Sequence, residues 1–328
     1  MTEWVAITGS AGYIGSVLAK HCKERGYNVL GCDRVYKDDN RQKYVDVALQ
    51  CEYQDPHFAV MCDRYNIKTV FHLGGSASVP LSVKEPFEFY SNNLGNTSTM
   101  LENLLKRGWA DRKGQIVFSS TAAVYNLSTS HLKEDSPKGS PNPYGRSKLM
   151  AEQLFAELVE KGITSTVFRY FCVAGSYGDV GQPLNYPHII PRIMDAAYNG
   201  PGELTIYGSN WDTPDGSAIR DYISVNDICR AHFHTAEYMN THKGCHTFNM
   251  GTKKGTSVFE MIRTFEDVIG LDVPFDIGDP RPGDPAILLC DPSKFIEETG
   301  FVYEEDLSDM MKSAWDWYIF KREDKNGI

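Results

Sequence analysis

The sequence has no cysteine pair spaced for metal binding and no apolar run long enough to span a membrane. Its eight cysteines are scattered without a C-x-x-C pair, which is typical of a reducing compartment rather than of a disulfide scaffold or a zinc site. A membrane helix needs about 20 consecutive apolar residues, and no stretch approaches that length. The first residues already have the pattern of a strand, so no signal peptide is expected. We therefore expect a cytoplasmic protein with no metal and no membrane partner.

Positive charge is also scarce. Lys and Arg number 33 against 43 Asp and Glu, which gives a net charge of -10. Nucleic-acid-binding proteins usually carry a basic surface, so no nucleic-acid partner is expected, although a few arginines could still hold an anionic ligand. A chain of 328 residues can bury a sizeable core as one large domain or two unequal ones.

The first half of the chain alternates short β-branched runs with amphipathic stretches. This alternation implies βαβ units and a doubly wound parallel sheet. The later part is richer in Gly, Pro, Asn and Asp, especially at 175–187 and 207–217, as in loops that cover a ligand. The pattern predicts strands over 5–8, 29–32, 69–73, 116–119 and 165–170, and helices over 16–25, 93–106, 147–159, 189–198, 225–239, 258–269 and 307–320.

These elements predict an α/β protein with two parts. We expect a Rossmann domain over 1–171, with a doubly wound parallel sheet, to which about 226–249 returns. The rest of 172–328 is expected to form a smaller mixed α/β domain that binds the substrate and closes a cleft over the first.

A glycine-rich loop follows the first predicted strand and opens a helix. Gly9 permits the tight turn, Gly12 allows close approach of a pyrophosphate, and Gly15 lets the helix pack on the strand. Asp33 ends the second strand about twenty residues on, where an acid accepts from the adenosine ribose and favours NAD over NADP. Arg34 beside it weakens that preference. A purely structural turn is the alternative, but the strand and helix around the loop favour a dinucleotide.

Tyr144 and Lys148 lie four residues apart at the start of a predicted helix, and therefore on one helical face. An ammonium near a phenol stabilises the phenolate, so Tyr144 could exchange a proton with a sugar hydroxyl near neutral pH. Thr121, just after a strand, could hydrogen-bond the same oxygen. A Tyr/Lys pair on a helix is usually surface decoration, but behind a dinucleotide loop it indicates a catalytic site.

Several longer stretches resemble the extended short-chain dehydrogenase/reductase family over essentially the whole chain. They are TGSAGYIGS at the start, SNNLGNT at 91–97, FSSTAAVY at 118–125, PYGRSKLMAEQ at 143–153 and RYF at 169–171. The stretch IYGSNWDTPDGSAIRDYISVND at 206–227, with FNMGTKKGTSV and RPGDPAILLCD after it, is similar to the UDP-hexose 4-epimerases of that family.

The resemblance implies a role for each matching residue. On the cofactor side these roles are contacts along NAD, including Asp46 and Val47 near the adenine and Lys148 on the nicotinamide ribose. On the substrate side they are the uracil, the diphosphate, the uridine ribose and the sugar. The implied catalytic residues are Thr121, Tyr144 and Lys148; the NAD contacts are Gly9, Gly12, Tyr13, Ile14, Gly15, Asp33, Asp46, Val47, Leu73, Asn92, Tyr144, Lys148 and Tyr170; the substrate contacts are Thr121, Tyr144, Cys172, Tyr207, Arg220, Arg281, Asp284 and Leu288.

The residues after Thr121 distinguish between relatives. Nucleotide-sugar dehydratases typically carry Asp-Glu there to eliminate water, whereas this chain has Ala122 and Ala123. Without that acid and base, the resemblance implies interconversion of UDP-glucose and UDP-galactose through a 4-keto sugar. Alternatives are epimerisation of UDP-N-acetylglucosamine/galactosamine or another UDP-sugar, and, outside catalysis, an NAD-binding sensor.

Three positions depart from the family pattern. Cys172 stands where an Asn usually bonds the nucleotide sugar. Leu288 stands where a large aromatic side chain would exclude an N-acetyl group, and Ala77 where some epimerases place a lysine near the cofactor. His72, in an apolar strand, is interpreted as a core histidine. Relatives dimerise through the helices at 93–106 and 147–159, so a homodimer is expected.

Overall fold

The computed structural model describes residues 2–36, 42–126, 131–184, 188–281 and 284–326. Residues 185–187 of the predicted loop, and Pro282 and Gly283 of the motif at 281–291, lie outside the described ranges. None of the described helices is both long enough and apolar enough to cross a membrane.

The described residues form sixteen strands and eleven α-helices. The strands are β1 (Trp4–Thr8), β2 (Asn28–Asp33), β3 (Val47–Gln50), β4 (Thr69–His72), β5 (Gln115–Thr121), β6 (His131–Leu132), β7 (Thr164–Tyr170), β8 (Cys172–Ala174), β9 (Ser176–Tyr177), β10 (Val180–Gly181), β11 (Thr205–Tyr207), β12 (Ile219–Ser224), β13 (Cys245–Met250), β14 (Gly255–Ser257), β15 (Asp276–Gly278) and β16 (Ile287–Cys290). The helices are α1 (Tyr13–Glu24), α2 (Pro56–Arg64), α3 (Val79–Lys84), α4 (Pro86–Tyr90), α5 (Thr97–Lys106), α6 (Pro143–Glu157), α7 (Ile189–Asn199), α8 (Val225–Thr241), α9 (Val258–Ile269), α10 (Ser293–Thr299) and α11 (Leu307–Asn326).

Seven parallel strands form the large sheet, in the order β13-β7-β5-β4-β1-β2-β3. The chain runs outward from β1 through β2 and β3, then returns to β4 and continues outward on the other side. Such a reversal leaves a crevice at the carboxyl ends of β1 and β4, where open α/β sheets bind their ligands. The predicted doubly wound Rossmann sheet is confirmed.

Helices cover both faces of this sheet, which explains why its central strands are buried throughout. One face packs against α1 and α8 through side chains such as Leu18 and Ile228. The other face packs against α2, α5 and α6 through side chains such as Phe58, Leu104 and Phe155.

The remaining elements build a smaller mixed α/β part over the carboxyl ends of the large sheet. β8 follows β7 directly and pairs with β12, β12 pairs with β14 and β16, and β16 pairs with β6. A separate core is formed between α7, α9 and α11. β13 adds to the large sheet beside β7. The domain limits proposed from the sequence stay a prediction.

Helix α6 begins at Pro143, four residues before the predicted start at 147. The Asn142 side chain accepts a hydrogen bond from Gly145 N, and a proline occupies the first helical position. Both features favour a helix start. The earlier start places Tyr144 in the first turn, at the carboxyl end of the sheet.

Candidate active site

The glycine loop leaves its backbone open to an anionic ligand. Gly9 N donates to Cys32 O at 2.8 Å, and Gly9 has a φ of 71°, which favours glycine. A Cβ on Gly15 would lie 2.1 Å from Gly9 O, so no larger residue fits there. Gly12 is the N-cap residue of α1, which has no side-chain cap and no acid in its first turn. Its free N–H groups can therefore bind phosphate oxygens, as NAD requires.

Asp33 lies beside this loop at the end of β2. Its Oδ2 accepts a hydrogen bond from Ala11 N at 3.0 Å, which fixes the carboxylate at the position expected for the adenosine ribose. Tyr13 donates its hydroxyl to Gly175 O at 2.6 Å, and burial raises the pKa of its phenol. Tyr13 therefore joins α1 to the loop at 175, and its hydroxyl proton is already donated there.

Asp46 and Val47 lie at the opposite edge of the sheet from the glycine loop. The Asp46 carboxylate accepts from Val29 N at 2.8 Å and from Lys23 Nζ at 2.6 Å, at the amino end of β2. At 3.3 Å per residue this level is about 13 Å below that of Asp33. This position does not support the prediction that Asp46 and Val47 contact the adenine, because cofactor groups collect at the carboxyl ends of the strands.

Glu52 is an acid at the carboxyl edge that sequence reasoning did not select. It follows the carboxyl end of β3, where Cys51 N donates to Asp33 O at 3.1 Å. Its Oε2 is a buried atom with no hydrogen-bond partner among the described residues. An acid directly after a strand end, rather than before the strand, is the sequence signal that would have located it.

Leu73 and Asn92 lie around the carboxyl end of β4. Leu73 N donates to Thr8 O at 3.1 Å. Asn92, buried in a π-helical turn before α5, donates through its amide to Ser76 Oγ at 2.8 Å and accepts from the Tyr53 hydroxyl at 3.2 Å. Both residues therefore line the crevice beside the glycine loop.

Thr121, Tyr144 and Lys148 are carried by β5 and by the helix packed against it. Thr121 is the last residue of β5 and its hydroxyl accepts from Ala123 N at 3.1 Å. Tyr144 is half-buried in the first turn of α6. Lys148 is buried and donates to Ser119 O at 2.9 Å, with the ammonium 4.7 Å from the Phe118 ring centre.

Burial lowers the pKa of Lys148 to about 7, while the Glu152 carboxylate acts in the opposite direction. A strongly shifted pKa at a buried lysine one helical turn from a phenol is typical of a functional site.

Tyr170 ends β7 and is buried, with its hydroxyl 2.9 Å from His232 Nε2. The Tyr170 hydroxyl is therefore directed to His232 in the protein core. Ile14, on α1, packs against the same core. For both residues any contact with a cofactor is apolar or through backbone atoms.

The four residues predicted at the nucleotide form two pairs. Arg220 donates to Asp284 Oδ1 at 2.8 Å, and the Arg281 guanidinium lies 4.1 Å from the Tyr207 ring centre. Tyr207 is 44% exposed, so its ring is open to a stacking partner. Two guanidinium groups, a carboxylate and an aromatic ring suit a nucleoside diphosphate.

Cys172 and Leu288 are the two remaining residues predicted to contact the substrate, and both lie on strands that pair with β12. Cys172 lies opposite Tyr222 in the β8–β12 pairing. Burial raises the pKa of its thiol to about 11, with Arg220 and Asp284 also acting on it, so the thiol is protonated at neutral pH. Leu288 faces Arg220 across the β12–β16 pairing and packs against the apolar cluster that contains Ala122.

Two histidines make hydrogen bonds that join separate elements of the fold. His72 is buried, with Nδ1 2.7 Å from Thr8 Oγ1 and Nε2 3.0 Å from Thr97 Oγ1, which confirms its interpretation as a core residue. His234 is paired with Thr299 O at 2.7 Å. Across the described ranges, His, Cys, Asp and Glu side chains form no group of three that could hold a metal ion.

Comparison with known proteins gives a consistent result. Residues 5–251 match the model of the NAD dependent epimerase/dehydratase family. A UDP-glucose 4-epimerase of Azospirillum brasilense is 36% identical over 323 residues, which cover 95% of this chain and 91% of that protein.

Two solved structures are similar over almost the whole chain. A UDP-glucose 4-epimerase of Stenotrophomonas maltophila, with bound NAD and formylated UDP-arabinopyranose, is 30% identical with a TM-score of 0.90 and covers 98% of this chain and 100% of its own. A UDP-Glc/GlcNAc 4-epimerase of Campylobacter jejuni is 30% identical with a TM-score of 0.81 and covers 97% of this chain and 99% of its own.

Proposed function

The chain belongs to the NAD dependent epimerase/dehydratase family, and from this premise we propose that it is an enzyme that interconverts UDP-glucose and UDP-galactose. NAD is its cofactor, and when bound it supplies the redox chemistry at sugar C4, which oxidises the sugar to a 4-keto form and reduces it from the opposite face. The protein's own residues bind, orient and exchange the proton.

Tyr144 is the proposed proton acceptor and donor at the C4 hydroxyl. It is half-buried in the first turn of α6, one helical turn before the buried Lys148. The ammonium stabilises the phenolate, and Thr121 bonds the same sugar oxygen. When the keto sugar is reduced, Tyr144 returns the proton.

The residues assigned to the cofactor bind NAD and orient it. The N–H groups at the start of α1 bind the pyrophosphate, and Asp33 accepts from the adenosine ribose. Glu52 follows Cys51, whose N–H donates to Asp33 O, and its Oε2 has no hydrogen-bond partner among the described residues. It is proposed to accept from the adenine amino group in place of Asp46.

The nucleotide residues hold the substrate through its UDP part. Arg220 and Arg281 bind the diphosphate, Asp284 accepts from the uridine ribose and Tyr207 stacks on the uracil. Binding replaces the Arg220–Asp284 ion pair with contacts to the ligand. In this proposal the sugar is held mainly through UDP. Its 4-keto form can therefore rotate about the link to the diphosphate and present its other face to the nicotinamide.

The observation that carries the choice of reaction is the pair Ala122 and Ala123 after Thr121. Both form a 3-10 turn directly above the end of β5, where a dehydratase needs an acid and a base. Methyl groups there cannot remove water from the sugar, whereas epimerisation needs neither group.

A proton NMR time course tests this function. Purified protein with added NAD is incubated separately with UDP-galactose and UDP-N-acetylgalactosamine. Growth of the gluco anomeric signal from UDP-galactose is expected. Loss of water from the sugar would overturn the proposal, and no conversion of either substrate would favour the NAD-binding sensor.

Leu288 favours a second substrate class. It is half-buried on β16, beside Arg220 and against the cluster around Ala122, at the wall expected to limit the group on sugar C2. Leucine leaves more room there than an aromatic ring. We therefore propose that UDP-N-acetylhexosamines are also accepted, and the rate ratio in the same NMR experiment measures this.

We also propose a cytoplasmic homodimer. Phe87 on α4 is 84% exposed and Met150 on α6 is 43% exposed, so two large apolar side chains are open to a partner beside the predicted pairing helices. All eight cysteines are free, which suits a reducing compartment. Light scattering should give twice the chain mass of 36.9 kDa, and Phe87→Glu should give the single mass; a monomeric wild-type protein would contradict the dimer.

A further inference from the structure

A buried carboxylate continues the row of Tyr144 and Lys148 along α6. Glu152 lies four residues after Lys148, on the same helical face, and is 9% exposed. Its Oε1 lies 2.5 Å from Ser120 Oγ, which donates to it. Lys148 and Glu152 of this row therefore both contact the carboxyl-terminal half of β5.

Arg169 supplies the counter-charge from the neighbouring strand β7. Its Nε donates to Glu152 Oε1 at 3.0 Å and its Nη2 to Oε2 at 2.7 Å. The guanidinium is only 4% exposed and also donates to the Tyr125 hydroxyl at 2.8 Å. Burying an ion pair in this way is weak evidence for stability alone, because desolvation costs about as much as the attraction returns. We therefore explain the buried Glu152–Arg169 pair by a role in the active site rather than by stability.

The row on α6 fixes successive residues of β5. Ser119 offers its carbonyl to Lys148 at 2.9 Å, and Ser120 offers its hydroxyl to Glu152. Thr121, the next residue, is the proposed substrate contact. A displacement of Glu152 would therefore move the strand segment that positions both Lys148 and Thr121.

Among the groups around Lys148, the Glu152 carboxylate is the one whose charge favours the protonated lysine. On β4, burial keeps the pKa of His72 well below its usual range, so His72 is neutral near pH 7. On the π-helical turn, the Asn93 amide is uncharged and lies close by at Gly75. On α6 itself the partners are Tyr144 and Glu152, whose negative charge opposes the effect of burial on the ammonium. Arg169 on β7 is already paired with Glu152.

We propose that Glu152 is a positioning residue of the reaction, which holds Ser120 and keeps Lys148 charged beneath Tyr144, with Arg169 as its counter-charge. This deepens the proposed function and rests on it. If Glu152 were only structural, its loss would lower stability without changing the protonation of Tyr144.

The direct test is the ultraviolet absorbance of the Tyr144 phenolate against pH. Each protein is compared with its own Tyr144→Phe derivative, so that the difference isolates this phenol. In Glu152→Gln the uncharged lysine no longer stabilises the phenolate, and the titration midpoint should rise by about one pH unit or more. Removal of a negative charge acting directly on Tyr144 would lower the midpoint instead, so the sign separates the two explanations. An unchanged or lowered midpoint overturns the proposal.

Two further variants separate charge from hydrogen bonding. Glu152→Asp keeps the charge and should restore most of the wild-type midpoint, whereas Ser120→Ala removes one hydrogen bond to the carboxylate and should raise the midpoint less than Glu152→Gln. If Glu152→Gln fails to fold because Arg169 is left unpaired, the double variant Glu152→Gln/Arg169→Gln is compared with Arg169→Gln alone, so that only the Glu152 charge differs between the two proteins. The midpoint should be higher in the double variant, and equal midpoints count against Glu152.

The pH profile of turnover connects this titration to function. With UDP-galactose, the acidic limb for Glu152→Gln should move upward together with the phenolate midpoint. The value of kcat near pH 7 should then fall about tenfold for every pH unit by which the midpoint rises. Absence of epimerisation in the wild-type protein would reject the proposed function, yet the absorbance titration would still decide the role of Glu152.

Discussion

The Arg220 guanidinium and the Asp284 carboxylate form an ion pair at 2.8 Å, although the two residues are assigned to different parts of the nucleotide. The Arg220 side chain is 14% exposed and that of Asp284 is 40% exposed. The pair holds the arginine in place, and under the proposed function its more exposed carboxylate is released to the uridine ribose.

Arg220→Lys tests whether the fork of the guanidinium matters for the diphosphate. An ammonium offers a point charge without the planar pair of donors, and losing a charge-assisted bond costs about 1.5–3 kcal/mol. KM for UDP-galactose should rise by about ten- to a hundredfold, with NAD affinity unchanged. Arg192→Lys, at an exposed arginine on α7, serves as the control. An unchanged KM would remove Arg220 from the diphosphate site.

Tyr144→Phe removes the proposed proton acceptor and leaves the ring in place against Phe89, 6.3 Å away between ring centres. Loss of general acid–base catalysis should lower kcat by about 10²- to 10⁴-fold, while NAD binding measured by calorimetry persists. Tyr65→Phe, whose ring stacks on Trp4 far along the chain from the site, should keep full turnover. Normal turnover in Tyr144→Phe would assign the proton to another group.

The sequence predicted what depends on local pattern. The glycine spacing, the strand before it and the helix after it identified the cofactor loop, and β-branched runs identified five strands of the large sheet. The ion pair between Glu152 and Arg169 joins α6 to β7. It could not be predicted from the sequence, because it forms only when the helix packs on the strand and neither stretch has a local pattern that indicates it.

The adenine contact is hard to place from the sequence for a similar reason. Asp46 precedes β3 and Glu52 follows it, and the sequence alone did not show where this short strand begins and ends. Because β3 is only four residues long, an error of a few residues in its position places an acid at the wrong end of the strand. Only the pairing of Val47 with Leu30 fixes which acid lies beside Asp33.

Glu52→Gln and Asp46→Asn form a matched pair that tests this proposal. Each removes one carboxylate charge next to β3, but only Glu52 lies at the carboxyl edge. We expect the dissociation constant of NAD to rise by about tenfold for Glu52→Gln, from a lost hydrogen bond to a charged group, and to stay constant for Asp46→Asn. The opposite pattern, measured by calorimetry, would return the adenine contact to Asp46.

Leu288→Tyr tests the wall next to the sugar. The added ring would occupy space on β16 beside Arg220 and should slow conversion of UDP-N-acetylgalactosamine by about tenfold or more relative to UDP-galactose, since a clash within a packed pocket costs about 1–3 kcal/mol. Leu288→Met keeps the volume and should preserve the rate ratio. Equal losses on both substrates would show that Leu288 does not select at C2.

His232 predicts how stability changes with pH. It is fully buried, its Nε2 lies 2.9 Å from the Tyr170 hydroxyl, and burial lowers its pKa from 6.5 to about 4. As the pH falls below 6.5 the unfolded chain takes up a proton that the folded protein refuses until about pH 4. The free energy of unfolding should therefore fall through this window, by about 3 kcal/mol from this residue, and His72 contributes in the same direction.

Urea unfolding at pH 7, 6, 5 and 4 measures this dependence in three proteins. His232→Gln loses the Tyr170 contact and should be less stable than wild type at pH 7 by about 1 kcal/mol, but its stability should decline less on acidification because no buried imidazole resists protonation. His57→Gln, at an exposed histidine, should follow the wild-type curve. Parallel curves for wild type and His232→Gln would mean that folding does not lower the pKa of His232, which would contradict this prediction.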